Sequence, residues 1–105
     1  MTENVVSLPT NLCPSGLCPE ARQLWREIIA DYQIDDAAGL SILRGLCETL
    51  GRLRDVQAQI QKDGLTVPGY NNQVRPHPLL KTEAELNRLM LAQYRALRLD
   101  PDPGH

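Results

Sequence analysis

Apolar side chains recur at helical spacing in three stretches of the chain, and the segment between the second and third has no helical period at all. In the first stretch Ala21, Leu24, Trp25, Ile28, Ile29 and Tyr32 fall on one face. Pro19 and Glu20 suit the first two positions of a helix, where a missing N–H costs nothing and a negative charge meets the dipole. The spacing predicts a helix over 19–32. In the second stretch Leu43, Leu46, Cys47, Leu50, Leu53, Val56 and Ile60 alternate by three and four, with Asp35 and Asp36 placed to cap. This predicts a longer helix that ends near residue 63. In the third stretch Leu86, Leu89, Met90, Tyr94 and Leu97 form one stripe, and Thr82 with Glu85 reads as a capping box. A C-terminal helical segment is expected over 82–99.

The apolar positions of the second helix matter most for architecture. At about 100° per residue they spread over roughly 200° of its circumference, about twice what one neighbouring helix covers. The surplus face must meet a third surface. With the third helix hung from a long arm, that surface is expected to be another copy of the chain. Leu43, Leu46, Leu50, Leu53, Val56 and Ile60 are then the candidate oligomer interface. The fold class expected is all-α: a helical hairpin over 18–63, an extended arm over 64–81, the C-terminal helix, and completion of the core by self-association. A flexible segment over 1–17 and an acidic tail over 100–105 complete the division.

The arm reads GLTVPGYNNQVRPHPLLK and carries two X-Pro steps around His77. Proline removes a backbone donor and biases the residue before it towards extended geometry. Tyr70, Gln73 and His77 are candidate arm contacts, alongside Arg75.

Charge sharpens this division. The chain of 105 residues has a formal charge of −2, which argues against a uniformly polycationic surface. Residues 1–63 hold six Lys/Arg against nine Asp/Glu, whereas 64–99 hold five against two. Nine of the eleven basic residues are arginine, which suits planar recognition of carboxylate or phosphate. Arg22 and Arg26 stand together at i,i+4 on the first helix, Arg88 and Arg95 on the third. No apolar stretch approaches membrane-spanning length, and no positively charged flank precedes an apolar run.

Catalytic and metal chemistry find little support. Cys13 and Cys18 are separated by four residues and Cys47 stands far off, which matches no standard zinc spacing. Nucleophile elbow, zinc-protease and phosphate-loop motifs are absent. No enzyme activity, metal or cofactor is expected.

The order of motifs resembles a known family. L-W-R-E-I-I (Leu24–Ile29), the Asp35-Asp36 opening of a helix that closes in I-Q-K-D-G (Ile60–Gly64), N-Q-V-R-P-H-P (Asn72–Pro78) and a leucine-rich helix ending L-R-L-D (Leu97–Asp100) are similar to the phage terminase small subunits of long-tailed phages and prophages. The resemblance covers about residues 17–100. It implies a non-catalytic partner in viral genome packaging, working in the cytoplasm of the bacterial host. Such a protein binds double-stranded phage DNA, forms a homo-oligomeric ring, and recruits or regulates the terminase large subunit. Arg22, Arg26, Arg75, Arg88 and Arg95 are the candidate DNA-binding residues. Two other readings stand beside it: a small dimeric DNA-binding regulator, and a non-catalytic helical adaptor that docks another protein.

Overall fold

In the computed structural model, which describes residues 12–98, helix α1 spans Pro19–Tyr32 and helix α2 spans Ala37–Asp63. A short ribbon follows, β1 (Thr66–Pro68) and β2 (Val74–Pro76), and then helix α3 (Leu79–Ala96). The acidic tail expected over 100–105, and the part of the expected flexible segment over 1–11, lie outside the described residues.

Local chemistry sets the ends of the first two helices. Cys18 is extended, and Pro19 opens α1 with the φ a helix requires. Asp36 caps α2, its Oδ2 accepting a hydrogen bond from the Gly39 N–H at 2.8 Å. At the far end Gly64 adopts φ +88° while its N–H bonds the Ile60 carbonyl at 2.7 Å. A side chain at that left-handed position would be strained, so glycine ends the helix there.

The core forms where α1 lies along α2. Ala21, Trp25 and Ile28 pack with Leu43, Leu46, Cys47 and Leu50, and Leu17 joins from the preceding segment. Leu17 is only 8% exposed, so residues just before α1 are part of the core rather than a free lead-in. Arg54 ties the start of α1 to the middle of α2, with Nε and Nη2 donating to the two carboxylate oxygens of Glu20 at 2.8 and 2.9 Å.

Helix α3 returns along the other flank of α2. Gln57 Nε2 donates to Glu83 at 3.0 Å. Further along, a Cβ at Gly45 would lie 3.2 Å from Gln93 Nε2, so the absence of a side chain at 45 lets α3 approach closely. The pairs 57–83 and 45–93 show that the two helices run antiparallel. Met90, Tyr94 and Leu97 complete the packing against the main core.

Two expectations are corrected here. The broad apolar face of α2 is covered inside one chain, α1 taking one flank and α3 the other. Leu43, Leu46, Leu50, Leu53 and Ile60 are buried and Val56 is half-buried, so this stripe is not presented to a second copy. The surface that covers the second flank of the stripe is α3. The segment 64–81 is also not an extended arm. Thr66, Val67 and Pro68 pair antiparallel with Pro76, Arg75 and Val74. A tight turn at Tyr70–Asn72 reverses the chain, with Asn71 and Asn72 at φ 56° and 65°. Asn is among the few residues that tolerate this conformation, because its short amide bonds locally. Helix α3 begins at Leu79, so Thr82 lies within its first turns and is not its cap.

Candidate functional site

The hairpin and α3 owe their placement to His77. Its side chain is 5% exposed. Nδ1 lies 3.0 Å from the Leu79 N–H and accepts from it, which satisfies one free donor at the start of α3. With Nδ1 accepting, the neutral ring carries its proton on Nε2 and donates to Asp63 Oδ2 at 2.8 Å. The main chain adds two bonds, His77 N–H to Leu65 carbonyl at 2.8 Å and Leu80 N–H to His77 carbonyl at 3.0 Å. Asp63 also accepts from Gln59 Nε2 at 2.9 Å. The Gln59 bond first, and the His77 bond second, hold the Asp63 carboxyl below its usual pKa. One ring thus joins the end of α2, the hairpin base and the start of α3. This corrects the expectation for His77 as an arm contact: it is a buried bolt with both nitrogens engaged.

Beyond this bolt the hairpin stands clear of the helices. Tyr70 at its tip is 86% exposed, Val74 72% and Leu65 67%. Gln73 and Arg75 are exposed as well, and Arg75 is the only charged residue between Gly64 and Pro76.

The five candidate arginines do not form one surface. Arg22 is pinned to the segment before α1, donating from Nη1 to the Leu17 carbonyl at 2.6 Å. Arg26 donates to Gln23 at 3.4 Å. Glu20, Gln23, Leu24 and Glu27 line a groove with Met90 and Tyr94 of α3; Arg22 sits on the flank of α1 away from it, and Arg26 borders it through Gln23. Arg88 and Arg95 lie on the outward side of α3, opposite the half-buried Leu86, Met90, Gln93 and Leu97. Lys81 shares that side and was not singled out from the sequence. The available signal was spacing, since 81, 88 and 95 are seven residues apart and fall within about 40° of one another on a helix. Among the described residues Lys81, Arg75, Arg88 and Arg95 have no side-chain hydrogen bond or ion pair.

Cysteines separated in sequence converge in space. Cys13 and Cys18 pack against the cluster that contains buried Cys47. Burial, with smaller contributions from Cys13 and Cys18, pushes the Cys47 thiol up to about 12. Among the described residues no group of three or more His, Cys, Asp or Glu is arranged to hold a metal ion, and no helix is long and apolar enough to cross a membrane.

Comparison with known proteins places this geometry in context. The family model described as phage terminase, small subunit, matches residues 21–103, a span that takes in α1 from its third residue, α2, the hairpin and α3. No curated protein and no solved structure matches the chain.

Proposed function

The chain belongs to the phage terminase small-subunit family, and from that premise we propose that it binds double-stranded phage DNA and recruits or regulates the large subunit that carries the packaging ATPase and nuclease. It is itself a non-catalytic subunit. The observation that carries the reading is the family match over 21–103. The charge distribution supports it: the hairpin and α3 present exposed cations with no partner among the described residues, while acidic side chains outnumber basic ones in the first 63 residues.

Arg22, Arg26, Arg75, Arg88 and Arg95 are the residues proposed to meet DNA. They do so through contacts that are mainly electrostatic and weaken with salt. Tyr70 and Gln73 at the projecting hairpin are proposed to touch DNA or the large subunit. The protein acts in the cytoplasm of the bacterial host as a homo-oligomeric ring, which multiplies a few modest contacts by avidity. Because α3 covers the stripe of α2, copies meet through other surfaces.

Native mass spectrometry of the full chain, with and without a double-stranded DNA fragment, tests the reading. A mass that is a multiple of 11.7 kDa, and a further species with DNA bound, is the expected result. A monomer that binds no duplex at low salt would refute both the ring and the DNA role.

A further inference from the structure

Lys81 occupies an unfavourable position for a cation. It is the third residue of α3, where the helix dipole presents positive charge and side-chain anions are preferred. Among the described residues no carboxylate pairs with Lys81. Glu83 faces Gln57 and bonds to it, and Glu85, at the edge of the same outward arc, makes no ion pair with Lys81 or Arg88. Helix stability by itself therefore does not account for Lys81. Arg95, in the last turn, does suit the dipole, but Arg88 in the middle gains nothing from it.

The three form a regular array. Seven residues of helix advance by about 10.5 Å and turn back by about 20°, so the charged groups line a track roughly 21 Å long. All three are exposed. The residues beside them on the same arc are Ala84, Glu85, Leu91 and Ala92, of which only Glu85, at the edge, offers a hydrogen-bonding group. The track thus has positive charge at fixed intervals, for which phosphate is the complementary partner that every sequence offers.

We infer that the outward face of α3, through Lys81, Arg88 and Arg95, is a phosphate-binding track that grips the nucleic-acid backbone irrespective of sequence. The inference rests on the reading above for DNA as the ligand, and goes beyond it in assigning one face, one added residue and one mode of contact. Arg22 and Arg26, on α1, are not part of the track.

The test is fluorescence anisotropy of the full chain with short labelled duplexes of two unrelated sequences, over a salt series. The variants are Lys81→Gln/Arg88→Gln/Arg95→Gln and, as a control that removes two exposed cations of α2, Arg52→Gln/Lys62→Gln. Because the track side chains are exposed and have no partner among the described residues, the triple variant retains the wild-type circular dichroism and melt. It loses about tenfold or more in affinity on both duplexes, and the slope of log K against log salt falls by about 0.9 for each phosphate contact removed. The control keeps the wild-type slope. If wild type binds and the triple variant matches its affinity and slope, the track is wrong while the DNA role stands. A loss confined to one duplex would overturn the claim of sequence independence. If wild type binds neither duplex at low salt, the DNA role fails and the track fails with it.

Discussion

Replacing Leu46 by alanine separates a stripe buried within one chain from one that waits for a second copy. Leu46 is 0% exposed and lies among Trp25, Leu43 and Leu50 in the core cluster. A fully enclosed leucine truncated to alanine loses its transfer energy and leaves a void that close-packed neighbours refill only in part, at a cost of about 3 kcal/mol. With a urea dependence of about 1.5 kcal/mol per molar, the unfolding midpoint should fall by about 2 M. Urea titration followed by circular dichroism gives that number, and native mass spectrometry of the folded variant gives the assembly mass. The expected pair of results is a large loss of stability with the wild-type subunit number retained. An unchanged melt accompanied by dissociation of the assembly would show that Leu46 faces a neighbouring copy, and the intrachain account of α2 would be refuted.

His77→Ala removes the cap at Leu79 and the bond to Asp63 from a buried position, at a cost of about 1–3 kcal/mol. The loss is local, so hydrogen exchange should quicken at residues 65–80 while amides in the α1–α2 core keep their protection. Equal protection in variant and wild type would remove His77 as the bolt. The carboxyl of Asp63 has a lowered folded pKa, so its contribution is present above the unfolded carboxylate value and is lost as pH falls through the folded one. Hairpin protection should therefore decline at the acid end, below the usual carboxylate range, and Asp63→Asn should flatten that part of the profile. For Cys47, a thiol buried and pushed up to about 12 should resist iodoacetamide at mildly alkaline pH, while half-buried Cys13 and Cys18 are alkylated. Rapid triple alkylation of the folded protein, read by mass spectrometry, would contradict the packing of Cys47.

The helices α1 and α2 were legible in the sequence because the forces that define them are local. Apolar period, Pro19 at the first position, the Asp36 cap and the glycine at 64 each act within a few residues. The start of α3 was misplaced because its cap comes from an imidazole ring whose other nitrogen is held by Asp63, fourteen residues back. A capping-box pattern at Thr82 cannot compete once that ring is buried. The hairpin was equally hidden: three residues a side, two prolines and no alternation give no periodic signal, and only the pairing of residues six to ten apart reveals it. The breadth of the apolar face of α2 was written in the sequence, yet which surface covers it was not, since that depends on whether the hairpin folds α3 back. The track on α3 divides the same way. The spacing of Lys81, Arg88 and Arg95 belongs to the sequence, but their outward direction was settled only when Met90, Gln93 and Leu97 packed towards α2 and left the opposite face to solvent.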